Sequence, residues 1–291
     1  MRRFFRRAFS NDLNDALKLP APNPPARVAP VQNASAIGVF DSGVGGLSVL
    51  RHIRAQLPSV PLLYVADSGH VPYGDKTQDY IRERSLVLTE FLIRHGAAAV
   101  VIACNTATAA AAAPLRARFT VPIIAMEPAV KPAVTATRSG VVGVLATVGT
   151  LESARFAALL EQYAGEVEIV TQACPGLVEK IEAGELKSTA TRELVARYTQ
   201  PLVARGADTI VLGCTHYPFL RQLITQIVGP EVQLIDTGEA VARQVVRRLP
   251  EALIGRIDLQ PTELFWTTGD ARSATRIMGQ LWGRAVNVTA L

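Results

Sequence analysis

Two of the three cysteines in this 291-residue chain occupy matching places in the sequence. Cys104 follows the apolar residues 100–103, Cys214 follows residues 210–213, and hydrogen-bonding side chains come directly after each cysteine. Backbone N–H groups at a helix N-terminus favour a thiolate and bind carboxylates. A lone cysteine at the end of a strand is more often a small buried apolar residue. Two at equivalent positions indicate an acid–base pair.

Such a pair suits the inversion of one carbon atom in a small acid. Proton abstraction next to a carboxylate needs a base on one face of the carbon, and inversion needs an acid on the opposite face. Two thiols serve both directions, because either one can be the thiolate while the other holds a proton. Serine is too weak a base, and a single cysteine could not invert the centre. The pair is therefore a two-base catalyst or a coincidence.

Two further side chains could assist the thiols. Asp41 ends the first apolar run, where a carboxylate would lie near the first thiol, and His216 stands two residues beyond Cys214. Each could accept or supply a thiol proton. Taken singly, an aspartate before Ser-Gly is often a turn cap, and a histidine near a strand end is commonly structural.

Phosphate and metal sites are less well supported. The glycine-rich segment 41–46 lacks the Lys-Ser/Thr ending of a P-loop and the full G-x-G-x-x-G spacing, so we expect its backbone N–H groups to approach a small carboxylate instead. The three cysteines and His216 are zinc ligands by type. They form no C-x₂-C pair and lie far apart in sequence, so we expect no metal.

The elements that position these residues are strands alternating with helices, which predicts an α/β fold with mainly parallel sheets buried on both faces. Helices are predicted at 47–57, 81–95 and after Cys104, and strands at 37–40, 62–65, 98–103, 122–125, 141–145, 167–171, 209–212 and 233–235. In such folds ligands bind beyond the carboxyl ends of the strands.

The uncharged residues 96–115 are mostly alanine and contain polar side chains, so we expect a strand and a helix rather than a membrane span.

A weak internal sequence repeat predicts two pseudo-symmetric lobes. Residues 37–43 resemble residues 142–149, and residues 100–106 resemble residues 210–216. A duplicated α/β unit would place one cysteine on each wall of a cleft between the lobes.

The charge is concentrated at the N-terminus. The chain has a net charge of +5, but residues 1–36 contain six basic and two acidic side chains, so the body is close to neutral. We expect no nucleic-acid partner. Residues 1–19 could form a basic amphipathic helix before a proline-rich stretch, although a flexible solvated extension over 1–36 is the favoured interpretation.

Three cysteines without framework spacing, and the lack of a signal-peptide pattern, predict a cytoplasmic protein.

Several blocks together resemble the cofactor-independent glutamate racemases of the aspartate/glutamate racemase superfamily. The most specific are Ala-Cys-Asn-Thr-Ala at 103–107 and Gly-Cys-Thr-His-Tyr-Pro at 213–218. The others lie at residues 40–47, 71–76, 146–150 and, more weakly, 236–238.

The resemblance implies interconversion of L- and D-glutamate without a cofactor, supplying D-glutamate for peptidoglycan. Cys104 would remove the α-proton of the D-enantiomer and Cys214 that of the L-enantiomer. Asp41 and His216 would assist them and also contact substrate, and Glu182 would help to poise His216.

The resemblance also implies a substrate-binding set. The side-chain carboxylate of glutamate would be held by Ser42, Tyr73 and Gly74. The α-carboxylate would be held by Asn105, Thr106 and Thr215, with Thr147 also lining the site.

The family pattern further implies a homodimer and discontinuous lobes, one formed by residues 37–130 with 238–291 and the other by residues 131–237. Activation by a cell-wall precursor is left open. The extension at 1–36 departs from the minimal pattern.

Three alternative functions are open besides glutamate racemase. Aspartate racemase is the second choice, and a single-cysteine decarboxylase relative is disfavoured by the second thiol. Outside the enzymes, the alternative is a non-catalytic carboxylate-binding protein on the same scaffold.

Overall fold

The computed structural model describes residues 35–163, 165–249 and 262–291. The extension predicted at 1–36 therefore lies almost wholly outside the described residues. Within them, two parallel sheets flanked by helices form the framework, which confirms the predicted α/β class. No helix in these ranges is long and apolar enough to cross a membrane.

The first sheet has six strands in the order β10-β9-β2-β1-β3-β4. Alternate residues of β1 enter different cores, since Ile37 and Val39 pack on one face and Phe40 packs on the other. This two-sided burial explains the continuous apolar runs. The strands are β1 (Ala36–Asp41), β2 (Leu62–Ala66), β3 (Ala97–Ile102), β4 (Ile123–Ile124), β9 (Glu263–Thr267) and β10 (Val288–Ala290).

The second sheet has four strands in the order β6-β5-β7-β8. This strand order repeats the order β2-β1-β3-β4 of the first sheet. β5 therefore corresponds to β1 and β7 to β3, as the internal sequence repeat predicts. The strands are β5 (Val141–Ala146), β6 (Glu168–Ala173), β7 (Thr209–Leu212) and β8 (Gln233–Ile235).

Helices connect the parallel strands on both faces. They are α1 (Leu47–Gln56), α2 (Gln78–Arg94), α3 (Asn105–Arg118), α4 (Val130–Ala136), α5 (Val148–Leu151), α6 (Ala154–Glu161), α7 (Leu177–Glu182), α8 (Thr189–Ala204), α9 (Arg221–Val228), α10 (Gly238–Arg248) and α11 (Ala271–Trp282), with 3₁₀ turns at Tyr73–Asp75 and Tyr217–Leu220. The alanine-rich segment is a strand followed by a helix, as expected, and Cys104 caps α3.

The predicted set of strands, which has 233–235 as its last member, lacks two strands that the structure contains. β9 pairs with β2, and β10 pairs with β9, so the C-terminal residues extend the first sheet. Both strands lie at the side of the sheet and are partly exposed, and β10 has only three residues. They therefore lack the continuous apolar run that marks the buried strands.

Candidate active site

A narrow pocket lies beyond the carboxyl ends of β1, β3, β5 and β7. Parallel strands bring their carboxyl ends to one edge of each sheet, and the two edges face each other here. The wall is formed by Ser42, Pro72, Tyr73, Gly74, Cys104, Asn105, Thr106, Thr147, Thr150, Val178, Gly213, Cys214, Thr215 and His216.

Ten of the twelve residues predicted from sequence line this pocket. The other two, Asp41 and Glu182, stand behind the wall, where they bond to residues that line it. Four lining residues were not among the predicted site residues, and two of these, Pro72 and Gly213, lie within the sequence blocks at 71–76 and 213–218. Thr150 belongs to the 146–150 block and its hydroxyl spacing from Thr147 was the available signal, whereas Val178 is an ordinary helix residue that no sequence signal marks.

The two thiols come from different sheets and meet at one pocket. Cys104 follows β3 and is 5% exposed, and Cys214 follows β7 and is 8% exposed. Their positions are equivalent in the repeated strand order. One thiol on each lobe of a shared pocket is the arrangement that two-sided proton transfer requires.

Cys104 lies among groups that keep its thiol protonated. Burial raises the pKa of Cys104 well above its usual value, and the nearby Asp41 carboxylate raises it further. The Ala107 N–H, in the first turn of α3, donates to Cys104 Sγ at 3.4 Å and opposes this shift. Ser42 Oγ is 3.9 Å from the sulfur.

Cys214 instead lies beside an imidazole. Its Sγ is 3.6 Å from His216 Nδ1, and His216 Nε2 is 2.6 Å from Glu182 Oε1. Burial alone would lower the pKa of His216, but its hydrogen bonds to Cys214 and Glu182 raise it well above its usual value. A protonated His216 can donate to both neighbours, so a positive charge stands next to Cys214.

Asp41 joins the two lobes. Its carboxylate accepts hydrogen bonds from the N–H groups of Ser42 (2.7 Å) and Gly46 (2.6 Å), and from Thr215 Oγ1 across the cleft (3.3 Å). Burial raises the pKa of Asp41, with the charge of Glu182 adding to it, while His216 and the N–H donors lower it. Asp41 is therefore a carboxyl group that can hold a proton closer to neutral pH than a solvated aspartate.

The glycine-rich loop packs directly against the His216–Glu182 pair. A Cβ atom on Gly43 would lie 2.0 Å from Glu182 Oε1, and one on Gly45 would lie 2.3 Å from His216 Nδ1. The N–H of Val44 donates to Glu182 Oε1 at 2.7 Å. The loop therefore approaches two carboxylates of the chain itself, Glu182 and Asp41, and neither contact was predicted from the sequence.

Among the polar side chains that line the pocket at the start of α3, Asn105 has an amide oxygen without a hydrogen-bond partner in the described residues. Asn105 Nδ2 donates to the Gly213 carbonyl at 2.9 Å. Its Oδ1 is buried and has no hydrogen-bond partner within residues 35–163, 165–249 and 262–291. The hydroxyl of Thr106 contacts those of Thr147 (2.9 Å) and Thr150 (3.1 Å). A bound ligand with an N–H donor would satisfy the free amide oxygen.

The third cysteine does not line this pocket. Cys174 Sγ donates to the Gln172 carbonyl at 3.4 Å, and burial raises the pKa of Cys174 to about 12. Across the described ranges no group of three or more His, Cys, Asp or Glu side chains is arranged to hold a metal ion.

Comparison with known proteins shows the same family throughout. The family model described as Asp/Glu/Hydantoin racemase matches residues 37–245. A glutamate racemase from Ectopseudomonas mendocina is 58% identical over 259 residues, covering 88% of this chain and 98% of that protein. One from Pseudomonas aeruginosa strain PAO1 is 56% identical over 259 residues, covering 89% and 98%.

Solved structures agree with the fold. Glutamate racemase from Bacillus anthracis superposes with a TM-score of 0.80 at 33% identity, covering 89% of this chain and 98% of the other. The Escherichia coli glutamate racemase, solved with L-glutamate and the activator UDP-MurNAc-Ala, gives a TM-score of 0.77 at 30% identity, covering 88% and 97%.

Proposed function

The chain belongs to the Asp/Glu/Hydantoin racemase family and is an amino-acid racemase, and we propose that it interconverts L- and D-glutamate with two cysteines as acid and base. The observation that carries this mechanism is the meeting of Cys104 and Cys214, from equivalent strands of two sheets, at one pocket.

The reaction moves one proton off Cα and another onto its opposite face. In the L-to-D direction the Cys214 thiolate takes the α-proton, the C–H electron pair is held by the adjacent carboxylate as an enediolate, and Cys104 delivers its proton. In the D-to-L direction the thiols exchange roles. Each turnover leaves the protonation states of the two thiols reversed, and exchange with solvent resets them.

The unequal surroundings of the thiols support a resting state with Cys104 as the thiol. Burial and Asp41 raise the pKa of Cys104, whereas His216 is protonated and stands 3.6 Å from Cys214. The resting enzyme is then ready to accept L-glutamate. Asp41 and His216 assist the thiols by holding and exchanging protons, and Glu182 orients His216.

Asn105 has a free acceptor that suggests a second role, besides the one that the resemblance implies. The amide nitrogen of Asn105 has two N–H groups, one of which donates to the Gly213 carbonyl, whereas the amide oxygen can only accept hydrogen bonds. We assign its free Oδ1 to the α-ammonium group of the substrate. The α-carboxylate is assigned to the second N–H of Asn105 and to the hydroxyl groups of Thr106 and Thr215, with Thr147 beside them. The Thr215 hydroxyl must turn away from Asp41, to which it donates at 3.3 Å, in order to bind the ligand. The side-chain carboxylate is assigned to Ser42 and the Tyr73-Gly74 turn.

The wider role follows from the relatives. The Escherichia coli racemase binds L-glutamate, which supports glutamate over aspartate as the substrate. We propose that this chain supplies D-glutamate for peptidoglycan in the cytoplasm and works as a homodimer with lobes divided near residues 130 and 238. Activation by a cell-wall precursor is a proposal supported by the activator in that structure.

The test measures optical activity with either glutamate enantiomer and with aspartate, for the unmodified enzyme and three serine variants. Cys104→Ser and Cys214→Ser should each abolish racemisation. Cys174→Ser is the matched control, because that thiol is equally buried but outside the pocket, and it should stay active. Near-normal turnover by Cys104→Ser in both directions would refute the two-thiol assignment, and turnover of aspartate alone would identify an aspartate racemase.

A further inference from the structure

A second buried carboxylate lies outside the chemistry described above. Asp67 follows β2, next to the strand that ends in Asp41, and is fully buried. Arg84 of α2 donates to it twice, from Nε to Oδ2 at 3.0 Å and from a terminal nitrogen to Oδ1 at 2.8 Å. The Thr268 hydroxyl donates to Oδ1 at 2.8 Å. A bidentate arginine is the pairing that a buried carboxylate needs.

The fourth donor connects this cluster to the substrate pocket. The hydroxyl of Tyr73, a residue of the pocket wall, donates to Asp67 Oδ2 at 2.6 Å. A phenol has one proton, so Tyr73 cannot also donate to a substrate carboxylate. Burial and Asp67 raise the pKa of Tyr73, which keeps that proton in place. Tyr73 therefore acts through its ring and main chain, whose position depends on the anchored hydroxyl.

Gly74, the residue after Tyr73, lies so close to α5 that the Tyr73–Asp75 turn has little room to move. A Cβ atom on Gly149 of α5 would lie 2.9 Å from the carbonyl oxygen of Gly74. The Tyr73–Asp75 turn is thus pressed against the other lobe on one side and tied to Asp67 on the other. A small shift of the turn would change the shape of the pocket.

We propose that Asp67 and Arg84 are positioning residues, which fix the Tyr73-Gly74 wall of the pocket through the Tyr73 hydroxyl. The cluster ties together the end of β2, the turn, α2 and the segment after β9. This inference deepens the proposed function and rests on it, because the wall is the one assigned to the side-chain carboxylate of glutamate.

The experiment compares Tyr73→Phe, Asp67→Asn and the double variant with the unmodified enzyme, using KM and kcat for glutamate racemisation and the melting temperature. Tyr73→Phe removes only the link and leaves the Asp67–Arg84 pair intact. Without the hydrogen bond to Asp67 the Tyr73-Gly74 wall can shift, so we expect KM to rise about tenfold, which is within the free energy of one hydrogen bond to a charged acceptor, and kcat to fall less than threefold. Asp67→Asn should raise KM at least as much.

The double variant separates positioning from general destabilisation. If Asp67 acts through Tyr73, the KM of the double variant should match that of Asp67→Asn within about twofold. Asp79→Asn is the control, because Asp79 pairs with Arg82 on the same helix but is 81% exposed, and it should leave KM unchanged. KM effects that multiply, or an unchanged KM in Tyr73→Phe, would overturn the proposal. An inactive unmodified enzyme would instead refute the proposed function.

Discussion

Replacing Gly45 with alanine should lower kcat/KM about 100-fold by displacing His216. The added Cβ would lie 2.3 Å from His216 Nδ1 and 2.6 Å from Cε1, whereas ordinary contacts begin at 3.4 Å. The ring or the loop must therefore move by about 1 Å. His216 is almost fully buried and is held by Glu182 at 2.6 Å, so the ring cannot turn away freely. A displacement of this size in a catalytic group costs about 100-fold in rate.

The assay follows optical activity from each glutamate enantiomer. The two products are mirror images, so the equilibrium constant is one and kcat/KM must fall equally in both directions. Gly279→Ala in α11 is the control, since its Cβ would meet no atom closer than 3.5 Å, and it should leave the kinetics unchanged. A Gly45→Ala enzyme within threefold of normal kcat/KM would refute the argument that the loop holds His216.

Three further predictions test separate parts of the structure. Glu182→Gln removes a carboxylate that raises the pKa of His216, so the high-pH limb of kcat/KM should move to lower pH; an unmoved limb would contradict this. Asn105→Ala should raise KM for both enantiomers about tenfold, because the α-ammonium loses its acceptor; an unchanged KM would reassign that group. Burial raises the pKa of Asp208, but hydrogen bonds from Thr137 and two backbone N–H groups lower it to about 2. This contribution to stability is present above about pH 4 and lost as the pH falls towards 2, so Asp208→Asn should lower the free energy of unfolding by about 1 kcal/mol at pH 7 and much less at pH 2. Equal losses at both pH values in chemical denaturation would contradict it.

Most of the candidate site residues could be brought together from the sequence because parallel strands impose a simple rule. Residues just beyond β1 and β3 lie at the carboxyl edge of the first sheet, and those beyond β5 and β7 lie at the carboxyl edge of the second. With the two edges facing one cleft, Cys104, Thr147 and Cys214 could be placed together from the sequence alone. The repeated sequence blocks then indicated two equivalent thiols. These inferences needed only local pattern and chain order.

What the sequence could not predict depends on contacts between distant residues. The Val44 N–H donates to Glu182, 138 positions away, and the close approach of Glu182 to Gly43 and of His216 to Gly45 leaves no room for a side chain at either glycine. The Asp67 cluster joins segments that only the folded chain brings together. The partly exposed strand β9 lacks a buried strand's pattern, since its place depends on pairing with β2.

Deuterium labelling at low conversion tests the two-thiol mechanism most directly. In deuterated water, L-glutamate should give D-glutamate carrying deuterium at Cα, while the recovered L-glutamate keeps its hydrogen, because the thiol that removes the proton is not the one that delivers it. The mirror result is expected from D-glutamate. Product that retains the original hydrogen, or substrate that gains deuterium as fast as product forms, would show a single base acting on both faces and contradict the assignment of Cys104 and Cys214.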